Sequence, residues 1–520
     1  MDGATLAGLI GIGGLFVLLA LRMPVAIALI VVGGLGIAAL NSFSAALATL
    51  SAETFEFAST YNLMVIPLFV LMGNFATISG MSRDLYAAAY AWVGHWRGGL
   101  ASATIVGCAG FAALSGSSVA SAVTMGRVAL PEMKRYNYSP RLATGAIAAG
   151  GTLGILIPPS TGFVIYAILT EASIGRLFLA GVLPGLLLAG LFIVTIVVLT
   201  TYNPALGPAR IVAPSGMRYW TRWRVNALVI IAGAALALAL PAGIASSGLL
   251  DLGVLLPDLA ALSRPRFAAI VGVFALAMLL PTLASTREQF LALRRAAPIV
   301  GIIGVTIGGI YGGVFTAVEA AGVGAVLAMI VALARRTVTR AGLSSALLQT
   351  VRTTAMSFLI IIGAHIFSPF LALSDIPNNL AGLLAGSGIG AAGVLFIVLA
   401  TFILLGTFLE GFAMLVLAVP IVLPIVEKAG VPQLLGIDPS DLVIWFGVIM
   451  VIVLEMGLIS PPVGVNVFVV KGIAEDVPLK DIFAGILPFW VAMGVCLLLL
   501  VLFPEVALFL PKTMLEAKPG

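Results

Sequence analysis

The amino-acid sequence predicts an all-α polytopic membrane protein with about 12 transmembrane helices, two re-entrant hairpins and an inverted-topology repeat. Three observations carry this. Of 520 residues, 61% are hydrophobic and 9% charged, and mean hydropathy is +1.20, whereas an ordinary soluble domain carries about 25% charged residues. Long apolar runs recur along the chain, and about 20 apolar residues cross a bilayer as a helix. One series of motifs occurs twice in the same order. A transmembrane barrel would alternate short segments instead. Disorder, a collagen-like repeat and a soluble enzyme with one buried core are excluded.

Runs at 5–21, 24–40, 57–78, 142–170, 177–201, 226–248, 267–285, 298–314, 317–334, 356–373, 441–470 and 482–509 read as the spans. The first follows Met1-Asp2-Gly3, without a positive flank, and reads as a retained span. Two further stretches, about 98–126 and 387–426, turn over at Ser115-Gly116-Ser117-Ser118 and at Gly406-Thr407-Phe408-Leu409-Glu410-Gly411. Unpaired polar groups in hydrocarbon cost several kcal/mol each, so both stretches read as re-entrant hairpins with tips in protein or a cavity.

The repeat pairs Ile157-Pro158-Pro159-Ser160 with Ser460-Pro461-Pro462-Val463, and Leu177 to Pro184 with Ile482 to Pro488. Pro158 precedes Gly181 by 23 positions, and Pro461 precedes Gly485 by 24. Ala129-Leu130-Pro131 matches Val422-Leu423-Pro424, which superimposes the hairpin tips. Charge then orients the copies. The loop at 41–56 has no Lys or Arg, whereas its partner at 335–352 has Arg335, Arg336, Arg340 and Arg352. Around the first hairpin stand Arg83, Arg97, Arg127, Lys134, Arg135 and Arg141; around the second, Lys428 stands among Asp375, Glu427, Asp438 and Asp441. Opposite charge patterns are what an inverted repeat requires under the positive-inside rule. The same rule puts 202–225 and 287–297 inside, with an out-and-back helix pair between them. The first hairpin then enters from the cytoplasm and the second from the other side. Both termini come out non-cytoplasmic, against which Lys512 and Lys518 argue.

The domains are therefore 1–205 as the first repeat, 206–297 as an amphipathic segment with an extra helix pair, 298–510 as the second repeat, and 511–520 as a tail. Segments 142–170 and 441–470 each hold a central Pro-Pro with Gly154 or Gly457 before it. Proline removes a backbone donor and clashes with the preceding turn. Freed carbonyls at matched breaks suit Na⁺, and half-helix N-termini favour anions.

Three motifs then resemble the large membrane (M) subunit of tripartite ATP-independent periplasmic (TRAP) transporters. They are Gly308-Gly309-Ile310-Tyr311-Gly312-Gly313-Val314-Phe315-Thr316 with Glu319-Ala320-Ala321, Gly154 to Ser160, and Glu455 to Gly464. The similarity runs over about 1–205 and 290–510. The resemblance implies an elevator-type, Na⁺-driven importer of organic acids in the bacterial inner membrane. It also implies a small membrane (Q) subunit and a periplasmic substrate-binding (P) protein as partners. One Na⁺ would lie among Ser115, Gly116, Ser117, Ser118, Gly154, Pro158, Pro159 and Ser160. Its mate would use Gly406, Thr407, Glu410, Gly411, Gly457, Ser460, Pro461 and Pro462. The carboxylate substrate would sit between the tips, near Ser118, Ser160, Thr161 and Asn466. Most of 210–290, with Trp220 and Trp223, is an insertion relative to the family's usual length.

Glu319 and Glu455 read as acceptors of backbone bonds bracing unwound helix, Glu410 as an ion or structural ligand, His365 as a bonded core residue and His95 as an interfacial anchor. Cys108 and Cys496 make no zinc or disulfide pattern, and no phosphate loop is present. The +5 charge marks cytoplasmic loops and not nucleic-acid binding. An intramembrane hydrolase lacks its Ser-His, Ser-Lys or paired-Asp groups, and two separate hairpins do not make one pore. The remaining alternative is a proton-coupled or binding-protein-independent organic anion transporter.

Overall fold

The computed structural model describes residues 3–208, 287–386, 388–407, 409 and 411–514. The expected spans at 226–248 and 267–285, the amphipathic segment beyond 208, Glu410 and the end of the tail lie outside the described residues. Among the described residues, ten helices are long and apolar enough to cross a membrane, and Val25–Leu40, Gly99–Ser115 and Ala391–Gly406 are shorter apolar helices.

In the first half, α1 (Gly3–Ala20), α2 (Val25–Leu40), α3 (Phe43–Ser59), α4 (Val65–Ile78) and α5 (Met81–Val93) precede a helical hairpin, α6 (Gly99–Ser115) and α7 (Ser118–Arg135). The broken helix follows as α8 (Pro140–Leu156) and α9 (Thr161–Thr170), then α10 (Ile174–Tyr202). The second half comprises α11 (Arg287–Tyr311), α12 (Ala317–Ala334), α13 (Arg340–Leu373) and α14 (Ile376–Gly386). Its hairpin is α15 (Ala391–Gly406) and α16 (Gly411–Lys428), and after α17 (Val431–Leu435) its broken helix is α18 (Pro439–Leu458) and α19 (Val465–Ile473). The chain continues through α20 (Leu479–Leu502) and α21 (Glu505–Thr513).

Two expected loops are helical instead. Segment 41–56 forms α3, because the Ser42 hydroxyl accepts from Ala45 N–H and starts the helix. Segment 335–352 belongs mostly to the 34-residue α13, started by Thr339, whose hydroxyl accepts from Gly342 N–H. The run at 482–509 is interrupted at Phe503, before Pro504. Both broken helices begin alike, with Ser139-Pro140 and Asp438-Pro439. Proline suits a first turn, where its missing N–H removes no helical bond. The Asp438 carboxylate accepts from Ser440 N–H, and that bond holds it below its ordinary pKa.

The packing crosses between halves. The first part of each broken helix lies against its own hairpin, α8 on α6 and α7, and α18 on α15 and α16. The second part lies on the other hairpin, α9 on α16 and α19 on α7. Around this core, α2 packs along α13, and α4 packs on α12. At the base of the first hairpin, Lys134 pairs with Asp476 at 2.6 Å and Arg141 with Asp481 at 2.7 Å. Hydrogen bonding to Lys134 holds the Asp476 carboxyl below its usual value.

Candidate functional site

The first hairpin turns on Gly116, whose φ of +59° is left-handed backbone that glycine adopts without a Cβ penalty. Ser117 starts the next helix by accepting from Ala120 N–H at 3.4 Å. Ser115 and Ser121 bridge the two arms through hydroxyls 2.9 Å apart. The tip rests on the first break. The Gly116 carbonyl accepts from Thr161 Oγ1 at 2.8 Å and from Thr161 N–H at 3.3 Å. A Cβ on Gly154 would fall on the Ser117 carbonyl, so only glycine permits this approach. Space requires glycine at 154, and the helix cap uses the Ser117 hydroxyl.

At the break, Pro158-Pro159 is a cis peptide and Ile157 to Ser160 are all buried. Ser160 accepts from Phe163 N–H at 3.3 Å and opens α9. Thus Ser115, Gly116, Ser117, Ser118, Gly154, Pro158, Pro159, Ser160 and Thr161 come together on one hairpin and one broken helix.

The second half repeats the arrangement. A Cβ on Gly457 would lie 2.6 Å from the Gly406 Cα, and Gly411 abuts Leu454. Thr407 is buried and donates to the Leu404 carbonyl at 2.7 Å. Pro461-Pro462 is also cis. Ser460 is buried; its hydroxyl donates to the Met456 carbonyl at 2.6 Å and accepts from Trp490 Nε1 at 2.8 Å. No motif pointed to Trp490, because its role depends on α20 folding back beside the break. Pro461, Pro462 and Val463 are exposed, unlike their counterparts.

Two further side chains are buried without protein partners. Glu455 is 1% exposed and Asn466 0%, and neither the carboxylate oxygens nor the amide atoms are hydrogen-bonded. Glu455 therefore does not accept the bracing backbone bonds expected of it. Its α18 position points it at Ser118 of the other half. Glu319 does brace a turn: its carboxylate accepts from Thr316 N–H at 2.8 Å while Thr316 Oγ1 accepts from Glu319 N–H, a reciprocal helix cap. His365 is partly buried and meets a neighbour, with Nδ1 3.4 Å from the Glu53 carboxylate.

Among the described residues, hydroxyls and backbone carbonyls stand at each tip and no basic side chain is bonded to them. Such oxygens are the donor type that hard cations take.

Comparison with known proteins agrees. The family model for the tripartite ATP-independent periplasmic transporter, DctM component, matches residues 12–506. A C4-dicarboxylate TRAP transporter large permease from Pseudomonas aeruginosa is 33% identical over 465 residues, covering 89% of both chains. A sialic acid TRAP transporter large permease from Vibrio cholerae is 28% identical, covering 88% of this chain and 87% of its own. The crystal structure of the Alcanivorax borkumensis YdaH transporter matches 89% of this chain and 88% of its own at a TM-score of 0.53 and 16% identity, a likeness of fold alone. Together with the apolar helices, the family match makes this a multi-pass inner-membrane transport protein and not an enzyme. The chain belongs to the large permease family of tripartite ATP-independent periplasmic transporters.

Proposed function

We propose that the protein imports an organic acid by Na⁺-coupled, elevator-type alternating access, receiving its substrate from a periplasmic binding protein and working with a small membrane subunit. The observation that carries this reading is the pair of Pro-Pro breaks, each beneath a hairpin tip that touches the preceding glycine. Matched breaks in inverted halves are the arrangement that gathers freed carbonyls and half-helix termini at a midplane site.

In this reading the hairpins are re-entrant from opposite sides, and the halves 1–205 and 298–510 form the inverted repeats. One Na⁺ sits between the first tip and Gly154–Ser160, the other between the second tip and Gly457–Pro462. The substrate carboxylate lies near Ser118, Ser160, Thr161 and Asn466, where the N-terminus of α9 offers positive partial charge. Relatives are named for C4-dicarboxylate, sialic acid and ectoine transport, which supports a carboxylate-bearing solute.

The test is uptake into proteoliposomes holding the complete transporter, with binding protein outside. Replacing Na⁺ by choline is expected to abolish accumulation. Accumulation driven by a proton gradient alone would reject Na⁺ coupling, and full-rate uptake without the binding protein would reject that partner.

A further inference from the structure

We propose that Glu455 is the charged ligand of a monovalent-cation site joining the two halves at the first hairpin tip, and that this cation must bind before an anionic substrate. The proposal rests on the Na⁺-coupled reading above and adds a residue that belongs to neither of its ion sites.

Glu455 lies in α18, less than two turns before the second break, yet it faces Ser118, the first helical residue after the other half's hairpin tip. The side chain is buried, Ser118 is the one polar side chain that approaches it, and neither carboxylate oxygen makes a hydrogen bond of good geometry. No described Lys, Arg or His forms an ion pair with it; the charged cluster on α18 joins Asp441 to Arg176 and Lys512, 14 residues away, or about 21 Å along the helix. A buried ionised carboxylate without a partner is among the costliest groups in a protein interior. Ser118 offers it an oxygen, not a positive charge. Carboxylate and hydroxyl oxygens are the donors that hard cations take. The tip is held in place on the other side, because Ser117 rests on Gly154. A cation between Glu455 and Ser118 would therefore tie the second broken helix to the first hairpin.

The order of binding follows from electrostatics. Asn466, on the far side of the same break, is also fully buried without a hydrogen-bond partner, and its amide N–H groups suit a carboxylate. With Glu455 ionised and no cation beside it, an anion arriving there would meet a like charge in a low-dielectric interior, where repulsion is strong. A bound cation reverses that sign.

The test uses the purified membrane complex. Its thermal unfolding is followed as NaCl replaces choline chloride at constant ionic strength without substrate, and Na⁺ dependence of uptake is measured in proteoliposomes with binding protein. Glu455→Gln is expected to raise the half-stabilising Na⁺ concentration at least tenfold, and Glu455→Asp to raise it less. Glu455→Gln with wild-type Na⁺ dependence in both measurements overturns the proposal. So does an unchanged Na⁺ dependence with loss of a wild-type pH dependence, which would make the ligand a proton. If Glu455→Gln does not fold, Ser118→Ala and Glu455→Asp decide: each is expected to raise the Na⁺ requirement three- to tenfold, and no change in both overturns the assignment. A wild-type complex indifferent to Na⁺ would reject the sodium reading itself; a responsive wild type with an indifferent Glu455→Gln rejects only the role of Glu455.

Discussion

The two Pro-Pro breaks share a motif, a cis peptide and a hairpin tip, but not an environment. Ile157 to Ser160 are buried, whereas Pro461, Pro462 and Val463 are exposed. The helix that follows each break meets it differently. Gly181 of α10 packs on Phe163 and the Leu156 carbonyl, so α10 covers the first break. Its counterpart Gly485 in α20 abuts the backbone of Arg141 and Gly145, so α20 packs chiefly on α8 in the other half. Gly181 follows its proline by 23 positions and Gly485 by 24. The duplicated glycines therefore make close contacts in different parts of the fold.

The largest expected effect concerns what the halves share. Gly154→Ala and Gly457→Ala each force a methyl group into the backbone of a hairpin tip, an overpacking that costs about 1–3 kcal/mol. Both are expected to lower detergent-stable yield and remove Na⁺-dependent uptake. Wild-type yield and uptake for one of them would break the equivalence of the tips.

Next are the prolines. Repeat symmetry alone predicts equal damage from Pro158-Pro159→Ala-Ala and Pro461-Pro462→Ala-Ala. Each change removes a helix-interior penalty of about 3 kcal/mol per proline and lets the segment rewind. The covered break has neighbours to displace, including Gly116 and Thr161, and the open one has few. The first double variant is expected to lose yield, and the second to keep yield while needing more Na⁺ for half-maximal uptake. Equal yields would show that cover does not matter.

Accessibility tests the same contrast directly. Both native cysteines, Cys108 and Cys496, are buried, so background labelling is expected to be low. Val463→Cys is expected to react with a small hydrophilic thiol reagent, and Ser160→Cys to resist it, since Val463 is 39% exposed and Ser160 1%. Substrate and Na⁺ are expected to change the two rates in opposite directions if the breaks alternate in access.

A smaller effect is expected from Thr161→Val. It removes the 2.8 Å bond to the Gly116 carbonyl, worth about 1 kcal/mol net, and is expected to lower the unfolding temperature slightly. The least is expected from Arg141→Ala. Its pair with Asp481 leaves the arginine side chain 60% exposed, and such pairs contribute about 0.2–1 kcal/mol. Unfolding curves within error of wild type are expected.

The sequence by itself determined the membrane class, the helical fold, the duplicated hairpins and the two broken helices. Those features are local or periodic: apolar length, proline's missing donor, and polar residues midway through apolar runs. The family resemblance of its motifs further implied Gly154 beside the first tip and Gly457 beside the second, and both glycines lie there. Only the tertiary structure decided that the halves exchange their second half-helices, that the breaks differ in cover, that Trp490 binds Ser460, and that Glu455 faces Ser118 across the repeat. These are contacts between residues 30 to more than 300 positions apart. They depend on which way each helix face is turned after folding, and no local pattern of residue types carries that information.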